Sequence, residues 1–162
     1  MADARAGTPE KTNVMRLLEG FKIPYVSHTY EPDPTKSGEE IAGILGEDPD
    51  RVFKTLVTRG KSGQYYVFVI PVNEELELKK AAKTAGEKSI EMIRQKELLP
   101  LTGYVHGGCS PIGMKKTFPV FIQETAVLFD TICVSAGKVG FQVELAPDAL
   151  LAAAGASFAD VV

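Results

Sequence analysis

Residues 52–72 read VFKTLVTRGKSGQYYVFVIPV, and this stretch decides the predicted fold class. Residues 52–58 and 65–72 are rich in β-branched and aromatic side chains, and the glycines within residues 60–63 supply a turn between them. The pattern predicts an antiparallel hairpin. The second arm is apolar on both faces, which is typical of a strand that lies centrally in its sheet.

Helices are predicted on both sides of the hairpin, from apolar spacing and from residues that cap helix ends. Ser37 followed by Glu40 has the form of a capping box, and Gly46 is well placed just past the end of that helix. The predicted helices are, in chain order, residues 14–21, the short helix after Ser37, residues 78–85 before Gly86, residues 90–98 before Pro100, and residues 147–154, which begin with proline.

Short strands complete the prediction, at residues 25–29, 119–122, 131–135 and 141–145. Neither a heptad nor an internal repeat is visible, and the regular strand–helix alternation of a Rossmann sheet is missing. The sequence therefore predicts an α/β fold of the α+β type, with intermingled helices and strands.

The length and composition fit one domain over residues 1–162. With 162 residues and 44% hydrophobic content, the chain can bury most of the surface that its unfolded form exposes. Residues 1–11 are rich in small and polar types, and we expect a frayed lead-in there. Because no run of about 18 apolar residues and no secretory signal occurs, we expect a cytoplasmic protein without membrane contact.

Cysteine and charge content narrow the expected ligands. Cys109 and Cys133 are too few for a disulfide framework and lack the paired spacing of a zinc site, so neither a metal nor a cofactor is expected. The net charge of −3 argues against generalised attraction to nucleic acid or membranes, so any RNA contacts must be local. The lysine clusters that could make such contacts, or could be ordinary solvated faces, are Lys79, Lys80 and Lys83, then Lys115 and Lys116, then Lys138.

Lys54 is a candidate site residue because it is embedded in an apolar strand pattern. Alternation puts it on the same face as Val52 and Leu56, with Phe53, Thr55 and Val57 opposite. One interpretation is a strand-end lysine whose stem covers apolar surface while its ammonium reaches water. The other is a cation aimed into a pocket, where it would bind a phosphate or carboxylate as a point charge.

Residues 103–113, GYVHGGCSPIG, form the densest glycine region of the chain. Four glycines and a proline indicate tight turns and backbone amides that could bind an oxyanion or a carbonyl, although a purely structural turn fits equally well. The segment does not match a P-loop. Residues 135–140 do not match one either, because a Walker A motif needs Ser or Thr directly after the lysine.

Cys109 could be a nucleophile, with His106 as its base, but the sequence favours a buried cysteine. No Asp or Asn in an obvious signature would orient His106. His28 is likewise more typical of a packing or hydrogen-bonding residue than of a base.

Six motifs in order resemble the YbaK family of aminoacyl-tRNA deacylases, which is related to the editing domain inserted in bacterial prolyl-tRNA synthetases. The motifs are HTYE at residues 28–31, VFKTL at 52–56, LKKAAK at 78–83, LTGY at 101–104, GGCSPIGMKK at 107–116 and VSAGK at 134–138. The resemblance implies a mixed, mostly antiparallel barrel-like sheet surrounded by helices. It also implies an enzyme that removes cysteine from Cys-tRNA(Pro), and also from Cys-tRNA(Cys).

The resemblance also implies roles for individual residues. Lys54 matches the essential lysine that holds the phosphate or terminal adenosine of the tRNA acceptor end, and residues 107–111 match the Gly-x-x-x-Pro loop whose backbone faces the aminoacyl ester. Catalytic roles thus fall on Lys54, Gly107 and Gly108, substrate contacts on Tyr30, Thr55, Cys109, Ser110, Pro111 and Ser135, and tRNA contacts on the six clustered lysines. Two positions depart from the family pattern: Gln142 stands where a relative has Asp, and Ser37 where a relative has an aromatic residue.

The family mechanism implied by this resemblance uses the thiol of the substrate cysteine, which attacks its own ester. Two alternatives remain open: a deacylase that clears Ala or another small amino acid from tRNA(Pro) with an activated water, and a non-catalytic module that docks tRNA or a synthetase. Prolyl-tRNA synthetase is a candidate partner in each case, besides the aminoacyl-tRNA itself.

Overall fold

The computed structural model describes residues 10–162 of the chain. Most of the lead-in expected at residues 1–11 therefore lies outside the described residues. The elements in chain order are α1 Asn13–Gly20, β1 Val26–Thr29, α2 Gly38–Ile44, β2 Phe53–Gly60, β3 Tyr65–Pro71, α3 Leu78–Ala85, β4 Ile90–Met92, α4 Gln95–Thr102, β5 Val120–Gln123, β6 Ile132–Ser135, β7 Phe141–Leu145, α5 Pro147–Ala154 and β8 Ala156–Ala159. Short 3-10 helices occupy Pro49–Arg51 and Glu124–Leu128.

The predicted hairpin is confirmed and forms the middle of the larger sheet. β2 and β3 pair antiparallel, from Phe53 opposite Pro71 to Arg59 opposite Tyr65. The strand order of this sheet is β4-β2-β3-β5-β8, which places β3 at its centre, as its two apolar faces predicted.

A second sheet of three strands, in the order β1-β7-β6, joins the first at one point. Val52, just before β2, and Cys133 of β6 form a parallel bridge between the two sheets. Among the described strands, β3–β5 and β5–β8 pair in parallel, and the remaining ladders are antiparallel. This arrangement confirms the mixed, mostly antiparallel and barrel-like architecture.

The main core lies between the two sheets. Val67 and Val69 of β3 face Val134 of β6 and Val143 of β7, and all four side chains are fully buried. Burial of each such side chain contributes roughly 1.5–3 kcal/mol to folding. On the other face of the larger sheet, a second cluster packs Phe68, Ile70 and Leu56 against α3 through Ala81 and Ala82.

The helix ends follow the capping residues that the sequence predicted. Ser37 accepts a hydrogen bond from the Glu40 backbone N–H, and the Glu40 carboxylate accepts one from the Ser37 N–H, so the capping box of α2 is complete. Gly86 ends α3 in the left-handed conformation with φ 75°, which glycine adopts without steric cost. Within residues 10–162, no helix is long and apolar enough to cross a membrane.

The predicted helix over residues 90–98 is wrong. Residues 90–92 instead form β4, which pairs with the edge of β2 at Thr58–Gly60, and the helix begins only at Gln95. A free sheet edge in the fold therefore overrides a local pattern that fits either structure. Pro100 lies inside α4 and does not end it; the helix ends at Gly103, which has φ 82°. β8, which consists mostly of small residues, was not predicted.

Candidate active site at the seam between the two sheets

One edge of β2 is open between its two neighbours. β4 pairs with β2 at Thr58–Gly60 and β6 meets it at Val52, so no strand of the described chain pairs with residues 54–56 on this edge. We call this gap the seam: residues 54–56 of β2 facing the end of β6 at Ser135. On the edge of β2 that faces β3, the Val72 N–H donates to the Val52 carbonyl. On the opposite edge, the Ile93 N–H donates to the Val57 carbonyl, so odd-numbered residues of β2 direct their backbone groups to that edge. By alternation, the backbone N–H and C=O of Thr55 point into the seam.

Lys54 lies on β2 between two residues that pack in different clusters, each with a helix. Its neighbours on the same strand face are Val52, which packs with Ala42 of α2, and Leu56, which packs against the cluster that contains α3. The Lys54 side chain is half-buried, and among residues 10–162 its ammonium makes no ion pair. A lysine held in this way can receive an anion from outside the chain.

The polar face of the smaller sheet turns toward the same side. Val52 and Cys133 are in contact, so Lys54 and Ser135, each two residues further along parallel strands, share this side. Ser135 and His28 both lie opposite Gln142 in the ladders, which brings Gln142 to the same face. The Tyr30 N–H donates to the Gly140 carbonyl at 2.9 Å, which extends the pairing of β1 with β7 by one more hydrogen bond.

Thr55 projects to the opposite face from Lys54. It lies between Phe53 and Val57, whose side chains belong to the main core. Its Oγ1 is buried and has no hydrogen-bond partner within the described chain. Nearly all buried hydroxyls in proteins are hydrogen-bonded. The Thr55 hydroxyl is therefore free to bind a polar group from outside the described chain.

The glycine loop, residues 107–111, packs backbone against backbone on the turn that follows β6. Gly107 has φ 85°, and a Cβ at Gly108 would lie 3.0 Å from Val139 N and 3.3 Å from the Lys138 carbonyl carbon. A Cβ at Gly108 would therefore require this turn to move by a few tenths of an ångström. The loop is anchored by Gly108 N–H, which donates to the Val105 carbonyl at 3.0 Å.

Side chains after the loop glycines face inward. Cys109, Ser110 and Pro111 are buried, and the Ser110 hydroxyl accepts a hydrogen bond from the Ile112 N–H at 3.3 Å. Cys109 packs in the main core, and burial raises the pKa of its thiol to about 12. A thiol that stays protonated is a poor nucleophile, and His106 is exposed. These facts argue against the hypothesis of a catalytic Cys109 and leave backbone groups as what the loop can offer.

The two departures from the family pattern have structural reasons. Ser37 is the N-cap of α2, a position that an aromatic residue could not fill in this way. Gln142 is buried, and with its amide nitrogen turned toward Glu47 it lies 3.1 Å from both carboxylate oxygens. Burial is the largest cause that raises the pKa of Glu47, and the charge of Glu144 adds to it. Asp at position 142 would place a further carboxylate against this group.

The six clustered lysines have different surroundings. Lys80 pairs with Asp160 at 3.0 Å and donates to the Val162 carbonyl at 2.6 Å, so it holds the C-terminal segment. Lys138 pairs with Glu10, and its ammonium lies 5.1 Å from the centre of the Phe141 ring. The remaining four, Lys79, Lys83, Lys115 and Lys116, are exposed.

Two surface concavities, of about 120 and 450 Å³, surround the β2–β3 turn and share Arg59 and Glu91. That turn is at the opposite end of β2 from Lys54. Neither concavity is lined by a residue of the seam or of the glycine loop.

Comparisons with known proteins find relatives over most of the chain. The family model of the aminoacyl-tRNA editing domain matches residues 32–153. A protein of Enterococcus faecalis, provisionally named Cys-tRNA(Pro)/Cys-tRNA(Cys) deacylase EbsC, is 47% identical over 159 residues, which cover 98% of this chain and 97% of that protein. A proline–tRNA ligase of Thermosipho melanesiensis is 29% identical over 110 residues, 67% of this chain and 19% of the ligase.

A solved structure, provisionally described as a trans-editing enzyme for prolyl tRNA synthetase, shares the fold. It superposes with a TM-score of 0.77 at 24% identity and covers 94% of this chain and 98% of its own. The fold expected from the sequence motifs is thereby confirmed.

Replacement of Gln142 by Asp should destabilise the protein at neutral pH. The new carboxylate faces Glu47, and loss of the buried amide donor typically costs about 1–3 kcal/mol. Gln142→Asn is the matched control, because it has the length of Asp without its charge. Thermal unfolding in EDTA-containing buffer should give a lower Tm for the Asp variant at pH 7.

The difference in Tm between the Gln142→Asp and Gln142→Asn variants should become smaller as the pH falls. A group whose pKa is raised in the folded state contributes stability at low pH and loses it as the pH rises, and Glu47 is such a group. Equal Tm values for the two variants at pH 7 would contradict the proposed contact between position 142 and Glu47.

Proposed function

The chain belongs to the aminoacyl-tRNA editing domain family, and on that premise we propose that it is a trans-editing deacylase acting as a single domain in the cytoplasm. Its substrate is cysteine attached to tRNA(Pro), and also cysteine on tRNA(Cys). The observation that carries the proposal is Lys54, a half-buried cation without an ion-pair partner in the described chain, on the side that bears Ser135 and Gln142. The relative of E. faecalis, similar over nearly the whole chain, is provisionally named for this activity.

Lys54 binds the anionic end of the substrate in this proposal. It lies on β2 between residues that pack in clusters with α2 and α3, and its ammonium acts as a point charge toward the phosphate beside the terminal adenosine. Tyr30 and Ser135, on the same side, contact the substrate, and the Thr55 hydroxyl is a polar group that still needs a partner.

The glycine loop acts on the acyl end. The Gly108 N–H is used by the Val105 carbonyl, so the backbone N–H of Gly107 and those of the loop after Gly108 polarise the ester carbonyl and stabilise the negative charge that develops on its oxygen. The close approach of Gly108 to Val139 keeps this backbone next to the turn after Ser135. Removal of a donor of this type costs about 10²–10³-fold in turnover in well-studied cases.

The nucleophile is the thiol of the substrate. Its sulfur attacks the carbonyl carbon, the bond from that carbon to the ribose oxygen breaks, and the thiol proton passes to the ribose oxygen. The products are free tRNA and a cyclic thioester of cysteine. Holding nucleophile and carbonyl in one molecule is worth up to about 10⁵–10⁸ M of effective concentration, less for a strained small ring. The high pKa of Cys109 fits a site in which the protein supplies no thiolate of its own.

An editing step has a clear physical purpose here. Proline and cysteine are close in size, and a pocket that distinguishes ligands by about one methylene gains only roughly 1–3 kcal/mol. A synthetase therefore needs a second site that selects by chemistry. The segment of proline–tRNA ligases that resembles this chain is about a fifth of their length, and it supports prolyl-tRNA synthetase as the partner that delivers the tRNA.

Steady-state deacylation of four charged tRNAs tests the proposal. We expect Cys-tRNA(Pro) and Cys-tRNA(Cys) to be cleaved, and Ser-tRNA(Pro), which differs by one atom, to be cleaved far more slowly, because an alkoxide forms much less readily than a thiolate with a pKa of about 8.5. Ala-tRNA(Pro) should be stable. If only Ala-tRNA(Pro) were cleaved, the result would favour an activated water instead. Equal cleavage rates for the Cys- and Ser-charged tRNA would contradict the thiol mechanism. If none of the four charged tRNAs were cleaved, the result would favour a binding module.

Replacement of Lys54 by Ala should remove most of the activity without unfolding the protein. The lysine makes no ion pair within residues 10–162, so its loss costs the fold little but removes the contact to the anion. KM should rise because the contact binds the substrate, and kcat should fall as well if the contact is stronger in the transition state than in the bound substrate. Lys61→Ala, on the exposed β2–β3 turn, is the matched control. Full activity of a folded Lys54→Ala protein would remove Lys54 from the site.

The exposed lysines should contribute mainly to tRNA capture. Neutralisation of Lys79, Lys83, Lys115, Lys116 and Lys138 should weaken tRNA binding and flatten its dependence on salt, because a protein that neutralises fewer phosphates releases fewer counterions on binding. Lys80→Ala should instead lower Tm, since Lys80 holds Asp160. An unchanged salt slope after the five neutralisations would identify these lysines as solvated only.

A further inference from the structure

Four side chains of metal-binding type converge on the polar face of the smaller sheet, beyond Gln142. They are His28 of β1, Cys133 of β6, Glu144 of β7 and Glu47, which follows α2. One donor atom from each of His28, Cys133 and Glu144 lies within 4.8 Å of the other two. Glu47 Oε2 lies 3.7 Å from Cys133 Sγ and 3.9 Å from His28 Nε2.

Donor atoms of His28, Cys133 and Glu144 are close enough together to reach one tetrahedral ion after small side-chain movements, and Glu47 lies near two of them. Zinc binds sulfur at about 2.3 Å and nitrogen or oxygen at about 2.0–2.2 Å, which places neighbouring donors about 3.3–3.7 Å apart. The Glu47–Cys133 distance of 3.7 Å lies at the end of this range that applies to sulfur, and the Glu47–His28 distance of 3.9 Å would shorten by about half an ångström. His28 Nε2 and Glu144 Oε1, which are 2.8 Å apart, would separate by about half an ångström as their hydrogen bond is replaced by two bonds to the metal.

Outer hydrogen bonds already orient both carboxylates. Arg51 Nη2 lies 3.2 Å from Glu144 Oε2, and the Thr131 hydroxyl donates to the same oxygen, so Oε1 is the atom left facing His28. Gln142 holds Glu47 through its amide nitrogen. Partners of this kind, which fix the direction of the ligating atoms, are a regular part of metal sites in proteins.

The donor chemistry selects the ion. One thiolate, one imidazole and two carboxylates suit Zn²⁺, whereas Mg²⁺ and Ca²⁺ prefer sites built only from oxygen. The thiol is almost fully buried, and the side chains of Glu47, Glu144 and His28 keep only 14%, 24% and 29% of their surface exposed. Arg51 is the cation that contacts this group within the described chain, and a divalent ion would balance the remaining negative charge.

We propose that His28, Glu47, Cys133 and Glu144 bind one Zn²⁺ ion, which clamps β1, β6 and β7 to the segment after α2. The absence of paired cysteines led to the expectation of no metal, but paired spacing reveals only sites whose ligands come from one or two short segments. Here the ligands come from four separate segments, which only the fold brings together. The site is independent of the editing proposal.

The site can be tested by titrating the full chain with Co²⁺ and recording its absorption spectrum, after EDTA has removed any bound metal. One equivalent should give the intense visible bands of tetrahedral Co²⁺ and a near-ultraviolet charge-transfer band from the thiolate, and Zn²⁺ should abolish both. Zn²⁺ should also raise Tm, because an ion that binds only the folded state stabilises it. Mg²⁺ should not.

The chain offers a matched control for each soft ligand, because it has two cysteines and two histidines. Cys133→Ser should remove the charge-transfer band while Cys109→Ser retains it, and His28→Gln should weaken Co²⁺ binding at least tenfold while His106→Gln does not. If Cys133→Ser fails to fold, Glu47→Gln must weaken binding in a folded protein.

Three outcomes would overturn the proposal. They are no saturable binding of Co²⁺ at one equivalent, a charge-transfer band that survives in Cys133→Ser, or equal affinities in His28→Gln and His106→Gln. The hydrogen-bonded cluster would then be complete without a metal. None of these readouts uses tRNA, so they are independent of the deacylation assays.

Discussion

The parallel bridge between Val52 and Cys133 is the contact on which the rest of the structure depends. It is the point where the edges of the two sheets meet, so it lets a three-stranded and a five-stranded sheet enclose one core. It also lasts for only one residue on each strand. Beyond it β2 turns toward β4 and β6 turns into its glycine-containing loop, and the seam opens between them. A continuous ladder would have paired the edge of residues 54–56 that the seam leaves open.

The helices and the glycine loop complete what the seam begins. α2 covers Val52 and Cys133 through Ala42, and α3 covers the cluster beside Leu56, so the strand residue between them, Lys54, has a path to the surface. Opposite, the backbone of Gly108 rests on that of Lys138 and Val139. The structure thus leaves a cation of the larger sheet without an ion-pair partner within residues 10–162, and it withdraws the thiol of Cys109 into the core.

The sequence predicted the parts of this fold that local chemistry controls. The hairpin, its central second strand and the capping box of α2 follow from side chains close in sequence, and the structure contains all three. The helix over residues 90–98 failed because the edge of β2 offers hydrogen bonds that residues 90–92 use as a strand. Alternation identified the face of Lys54, but only the Val52–Cys133 bridge shows that Ser135 shares that face. The grouping of His28 with Glu47, Cys133 and Glu144 depends on three strands and a loop, and no spacing in the chain predicts it.

Gln142 connects the two polar groups on the smaller sheet, and this position explains its residue type. On one side it lies between Ser135 and His28 in the ladders, on the face that Lys54 approaches. On the other, its amide contacts Glu47, whose carboxyl pKa is raised by burial and by the charge of Glu144. A carboxylate at position 142 could serve a ligand in the seam only by repelling Glu47, whereas an amide donates to Glu47 and adds no charge. The residue at this one position therefore sets the charge of the seam and of the neighbouring cluster together, and neither region can be altered there without the other.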